Sequence, residues 1–264
     1  MGKIIKIANG QGFWGDSVDA PLELINNADI NYLTLDYLAE VTMAIMQKQY
    51  NKSIDRGYAN DFVDFIDQSM DSILSKDIKI ITNAGGVNPY KCAEEIKRRT
   101  TNKIKIAVIE GDNIVEQINK YIDSGVDFNN IDNGKSIEEI KDSICSANIY
   151  IDSFVVAKAL EHEPHIVLGG RITDPGLVVG PCIHKFGWNK KDYKQLAAAT
   201  VAGHIIECGA QCTGGNHSRW WEIDNFTNIG YPIISINKDG LFDVSKDNNT
   251  GGLVNNLTIT EQLL

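Results

Sequence analysis

Short runs of aliphatic and β-branched residues recur along this chain, and a turn rich in glycine or carboxylate follows each of the clearest ones. Residues 3–7 (KIIKI) lead into Asn9-Gly10-Gln11-Gly12, and residues 78–81 (IKII) into Asn83-Ala84-Gly85-Gly86. Residues 104–109 (IKIAVI) lead into Glu110-Gly111-Asp112, and residues 165–168 (HIVL) into Gly169-Gly170-Arg171. Apolar runs of this length, bounded by turn signals, read as strands buried on both faces. Helical periodicity fills the gaps between them. Residues 58–75 set Phe62, Phe65, Ile66, Met70, Ile73 and Leu74 at spacings of three and four, which makes one apolar face. Alternating strands and helices predict an α/β fold with a mainly parallel sheet covered on both faces. In an open sheet of this kind ligands bind outside the carboxyl ends of the strands, so these turns mark where a site should form.

Parallel strands are expected near residues 3–8, 31–36, 77–83, 103–109, 148–151 and 165–169. Helices are expected over 20–27, 39–50, 58–75, 89–99, 114–124, 136–146, 153–162, 176–186 and 192–208, with a polar surface loop at 128–133. Residues 233–237 and 241–244 flank Lys238-Asp239-Gly240 and predict a hairpin. Residues 1–175 are thus expected to form the α/β core. Residues 176–264 form a helical and hairpin extension of the same domain, set either as a subdomain or as further strands of one sheet. Six parallel strands favour the open sheet over a β/α barrel, which closes with eight. Residues 258–264 read as a helix start that stops after about one turn. The expectation is a chain truncated within a longer protein.

The chain has 264 residues, 43% of them hydrophobic, which suffices for a sizeable core. A formal charge of −10 argues against a nucleic-acid partner, whose binder would show a basic face. Five cysteines without a C-x-x-C pair read as reduced thiols, and with no signal peptide in view they place the protein in the cytoplasm. No apolar run reaches the roughly 18 residues of a membrane span.

Gly10-Gln11-Gly12-Phe13-Trp14-Gly15 matches G-x-G-x-x-G, and Asp36 follows at the end of the second strand, which resembles a dinucleotide fingerprint. The details argue against NAD. Asp16, Asp19 and Pro21 delay the helix whose N-terminus would face the pyrophosphate, and Phe13 and Trp14 are bulky where a backbone must approach. Asn83, Gly85 and Gly86 precede a helix opened by Pro89, where free N–H groups could hold an anion. Arg171 offers a fork for carboxylate or phosphate, or else pairs with Asp174. His204 and Glu207 share a helix face with Thr200 and Cys208, a pairing suited to acid–base work, to supplying ligands to a divalent metal, or simply to a His–Glu hydrogen bond. Neither H-E-x-x-H nor a structural zinc spacing is present, so no metal is assigned. Gly214 and Gly215 permit close backbone approach, His217 is a second proton carrier, and Trp220-Trp221 either line a pocket or pack. Cys208 as a nucleophile with His204 as its base would need a contact that residues four apart on a rigid helix rarely make.

Several strings together resemble one family. Asn9 to Asp16 (NGQGFWGD) with Ala20-Pro21, Tyr32 to Glu40 (YLTLDYLAE), Ile81 to Gly86 (ITNAGG), Gly169 to Pro175 (GGRITDP) and Ala202 to Gly215 (AGHIIECGAQCTGG) are similar to motifs of the acyclic terpene utilization (AtuA) family. The resemblance implies a cytoplasmic protein of acyl-CoA catabolism, associated with breakdown of citronellol- and geraniol-type compounds alongside acyl-CoA carboxylases and enoyl-CoA hydratases. The expected ligand is a small-molecule acyl-CoA, whose CoA moiety is the cofactor-like part. His204, Glu207, His217 and Asp36 are the candidate proton carriers. Gly10, Gly12, Asn83, Gly85, Gly86, Arg171, Asp174, Gly214 and Gly215 are the candidate substrate contacts. Hydratase, lyase or hydrolase chemistry on the thioester fits this set. The alternatives are a non-catalytic accessory subunit and an NAD(P)-dependent oxidoreductase. A homo-oligomer or a complex with pathway enzymes is the expected assembly.

Overall fold

The computed structural model describes residues 4–100 and 104–264; Lys3 and Lys103, expected in strands, lie outside the described residues. Seven strands form one open sheet: β1 (Ile4–Asn9), β2 (Tyr32–Leu35), β3 (Lys79–Thr82), β4 (Ile106–Ile109), β5 (Ile166–Gly169), β6 (Pro232–Asn237) and β7 (Phe242–Lys246). Their order is β4-β5-β3-β2-β1-β6-β7. The first five run parallel, as the sequence predicts, with Ile7 opposite Tyr32, Leu33 opposite Ile80 and Ile81 opposite Val167. The β6–β7 hairpin continues the same sheet, with β6 antiparallel to β1.

The order of strands decides where the helices go. The chain steps from β1 to β2 to β3 in one direction, skips a place to β4, then turns back to insert β5. Right-handed crossovers therefore put the early helices on one face and the later ones on the other. On the first face lie α1 (Asp19–Asn27), α2 (Glu40–Lys52), α3 (Asn60–Ser75) and α4 (Pro89–Arg99), packed into a core with Leu24, Met46, Phe62, Ile66 and Ile96. A short helix, α5 (Ile118–Asp123), follows β4. On the second face lie α6 (Ser153–Leu160), α7 (Gly176–Phe186) and α8 (Tyr193–Glu207), with Val156, Val178, Ala202 and Ile206 against Ile7, Ile81 and Val167. The direction reverses between β3 and β5, which makes the gap between their carboxyl ends the switch point of the sheet.

Local chemistry supports these elements. Pro89 opens α4 and three basic residues, Lys97, Arg98 and Arg99, close it where the helix dipole is negative. Gly187, at φ +69°, ends α7 in the left-handed conformation. The last helix, α9 (Asn256–Leu263), starts earlier than expected because Asn255, not Thr258, caps it, and Thr258 completes a capping box.

Two expectations are corrected. Residues 148–151 are not a sixth parallel strand. They cross the carboxyl edge, pairing once with Asn113 beyond β4 and once with Ile172 beyond β5. Ile149 and Tyr150 remain exposed there, so the apolar run has no second layer to enter. Residues 136–146 are not an α-helix but two 3-10 turns at Ile137–Glu139 and Lys141–Ser143. Their isoleucines keep helical spacing, yet Ile140 faces solvent with nothing to pack on, and spacing alone does not stabilise a short helix.

Phe62 is fully buried between α3 and the sheet, edge-on to Tyr37 at 6.0 Å. Phe62→Ala should cost about 3–5 kcal/mol. Urea unfolding would show this as a lower midpoint with an unchanged slope.

Candidate active site

The strand ends β1, β2 and β3 present Asn9, Asp36 and Asn83 side by side, and all three are buried. The Asn9 carboxamide donates to the carbonyls of Ile206 (2.5 Å) and Glu207 (2.8 Å). It thereby satisfies orphan carbonyls at the end of α8 and fixes that helix end over the strand edge. Gly12 permits the approach: a Cβ there would lie 2.6 Å from the carbonyl carbon of Cys208. Glu207 and His204 are carried into place by this docking.

Asp36 is the centre of the arrangement. Its Oδ1 accepts from the Asn83 amide at 2.7 Å and from the Leu38 N–H at 3.2 Å. Burial pushes its carboxyl up to about 7, helped by Asp174 and Glu207 and opposed by the two hydrogen bonds. Burial also raises Glu207, with His204 opposing and Asp174 adding to the shift. His204 Nδ1 lies 2.8 Å from Glu207 Oε1, so the expected His–Glu hydrogen bond forms. The negative end of the α8 dipole is a further reason for these carboxyls to hold protons.

Arg171 answers this acidity from the end of β5. It is buried, and it bonds both Asp174 and the carbonyl of Ile172, the latter at 3.1 Å. Its guanidinium also approaches Glu40 at 3.6 Å and lies 4.4 Å over the ring of Tyr150. Tyr150 in turn donates to Glu40 at 2.5 Å. Asp112, beyond β4, accepts from the Arg171 backbone N–H at 3.0 Å and from Asn148 at 2.9 Å. Two buried polar atoms here have no partner, Arg171 Nε and Glu207 Oε2. Buried groups of this kind are nearly always satisfied, so an unsatisfied donor and an unsatisfied acceptor at this edge of the sheet fit a polar ligand or ordered water. Glu40 and Tyr150 carry no local site signal in the sequence, whereas Asp112 lies in the acidic turn that follows β4.

The expected glycine contacts are placed differently. Gly10, Gly12, Gly85 and Gly86 do lie on the strand edge, but their N–H groups are engaged. They donate to Thr34, to the Asp16 carboxylate, to Gly169 and to Asn83, at 3.0 to 3.1 Å. Gly85 serves close packing, since a Cβ would meet the Gly169 oxygen at 2.6 Å. Asp16 stands where a dinucleotide phosphate would accept from Gly12, and Tyr231 donates to its other oxygen at 2.6 Å. The N–H groups of Gly214 and Gly215 bond Gln211 and Ala210. His217 belongs to another group of residues: its Nδ1 is 2.7 Å from Glu261, and its partners are Glu261 and Glu222 rather than the strand-edge carboxylates. Trp220 and Trp221 are both exposed, in a T-shaped pair. Burial raises the Cys208 thiol, which keeps it protonated and disfavours it as a nucleophile. Among the described residues no three His, Cys, Asp or Glu side chains are grouped to hold a metal, and no helix is long and apolar enough to cross a membrane.

The fold is that of an α/β protein whose mainly parallel sheet gathers buried carboxyls and one buried arginine at the carboxyl ends around its switch point. The chain belongs to the acyclic terpene utilisation family, AtuA, whose sequence profile matches residues 5–264. Membership gives it a role in acyclic terpene utilisation. Neither a curated protein nor a solved structure matches it.

The Asp36 carboxyl makes stability depend on pH in a stated direction. Between about 4 and 7 the native state keeps a proton that the unfolded chain has released. This contribution to stability is therefore complete below about 4 and is lost as pH rises through about 7. Asp36→Asn removes the dependence. The variant should gain on the parent by up to about 4 kcal/mol between pH 4 and pH 8. Urea midpoints at both pH values test this; an equal difference at the two would refute it.

Proposed function

We propose that the chain is an enzyme of branched, acyclic-terpenoid acyl-CoA breakdown, in which Asp36 moves a proton at the acyl end of the thioester. The observation that carries this reading is the buried Asp36 carboxyl, raised to about 7 at the carboxyl edge of the sheet. A group titrating near the working pH is the efficient general acid or base, and strongly perturbed carboxyls concentrate at functional sites. Glu207 with His204 forms the second proton-carrying pair. Arg171 Nε and Glu207 Oε2 are the buried donor and acceptor that a polar group of the substrate would complete.

Electrostatics decide which part of the thioester enters. Glu40 and Asp174 contact the Arg171 guanidinium, Asp112 accepts from the Arg171 backbone N–H, and Asp174 and Glu207 add negative charge around Asp36, an acidic setting that favours the uncharged acyl end over the CoA phosphates. Hydratase and lyase chemistry, with proton transfer at carbon or oxygen, directly use two carboxyl groups whose proton affinity burial has raised. Hydrolysis would use the same base on water. The engagement of Gly12 by Asp16 weighs against the nicotinamide alternative.

The test is turnover and binding with branched acyl-CoA esters. A thermal-shift screen should report binding, since ligand at 100 times its dissociation constant stabilises by roughly 2.7 kcal/mol. Asp36→Asn should lower kcat by about 10²–10⁴ with binding retained, and should remove an inflection near pH 7 from the rate profile. Full activity in Asp36→Asn, or a failure of any acyl-CoA to bind, would overturn the reading.

A further inference from the structure

A large groove lies away from the acid cluster. It runs between β4 and α6, and its volume of about 780 Å³ is within the range of small-molecule sites. β4 is the outermost strand, and among the described residues its far side has no partner strand. Ile106, Ala107 and Val108 are only half-buried there, whereas all of the neighbouring β5 is buried. The opposite wall is Phe154, Val155 and Ala159 of α6. Apolar surface on a strand edge is a liability that proteins ordinarily cover, so an exposed floor of this kind needs an occupant.

The groove has a polarity of charge. α6 runs back from the carboxyl edge of the sheet to the start of β5, so it lies antiparallel to β4. Glu110 and Asp152 therefore stand at one end, where Asp152 is spent capping α6 and Lys190 is held 5.4 Å over the ring of Phe154. Lys105, Lys158 and His162 stand at the other, where the His165 N–H donates to the Lys105 carbonyl at 2.8 Å. Lys158 is paired with Glu161 at 2.5 Å, but among the described residues Lys105 has no carboxylate partner. An unpaired ammonium at the mouth of an apolar trough, on a protein of net charge −10, selects for an anionic head joined to an apolar body.

We infer that this groove binds a medium-chain amphipathic anion, its apolar chain along β4 and its carboxylate or phosphate at Lys105. A peptide adding a strand to β4 would use the backbone edge and have no need of Lys105, and a neutral hydrocarbon would be indifferent to it. The inference does not depend on the role of Asp36.

Calorimetric titration of the whole protein with decanoate, decyl phosphate, decanol and decylamine tests it. Both anions should bind about tenfold more tightly than decanol, and decylamine should be weakest. Lys105→Ala should abolish the preference for anions over decanol. Val155→Trp, which fills the trough from a half-exposed position, should weaken decanoate about tenfold without lowering the thermal midpoint. Asp36→Asn should leave decanoate binding unchanged, which separates this site from the acid crevice. Decanol binding as tightly as decanoate, an undiminished preference in Lys105→Ala, or no binding by any of the four would overturn the inference. Decyl phosphate exceeding decanoate would identify the head as a phosphate, and the reverse as a carboxylate.

Discussion

The bond between the Asn9 carboxamide and the last carbonyls of α8 holds the candidate site together. Asn9 ends β1, an interior strand between β2 and β6, and α8 packs on the second face. Without this contact the end of α8 would leave buried carbonyls unsatisfied, a cost of order 1–3 kcal/mol for each group. Glu207 and His204 are delivered to Asp36 by it, and the bare Gly12 backbone leaves room for it. A helix C-terminus lowered onto carboxylates is electrostatically adverse. The fold accepts that adversity by keeping protons on the carboxyls and by burying one arginine among them.

Arg171 sits in this balance as a structural cation as much as a ligand contact. Asp174, Glu40, the ring of Tyr150 and the Ile172 carbonyl share its guanidinium. A fork already spent on two carboxylates has little charge left for a phosphate. The Nε that remains is a single N–H donor, suited to orienting one oxygen rather than to capturing a dianion. This division of labour is why the crevice reads as a place for proton transfer.

The strand–turn alternation was legible because each buried parallel strand must be continuously apolar and must end in a turn that points at the site. Asp36, Arg171, Asp174, His204 and Glu207 could be singled out because local spacing or a strand end advertised them. What stayed hidden were partners brought in by tertiary placement. Glu40 opens α2 and would pass for a helix-start acid, and Asp112 shows only as the acidic end of the turn after β4, with nothing local to pair it with Arg171. Residues 148–151 carry a strand-like composition, yet they lie across the carboxyl edge, bridging once to Asn113 beyond β4 and once to Ile172 beyond β5 instead of running alongside a strand. The glycines misdirect for a related reason. A glycine needed for close backbone contact and one needed to cradle an anion look alike in a sequence, and only the bonding of the N–H tells them apart.

The two faces of the sheet carry separate cores, and the crevice takes its parts from both. Asp36 and Asn83 ride on strand ends whose turns are buttressed by α2 to α4, while Glu207 and Asp174 ride on the layer of α7 and α8. The acid cluster therefore straddles a seam. Any shear of one layer over the other alters the spacing of like charges, and with it the affinity of the seam for a proton. Mechanical coupling between the layers becomes chemical tuning, with Asn9 as the fulcrum.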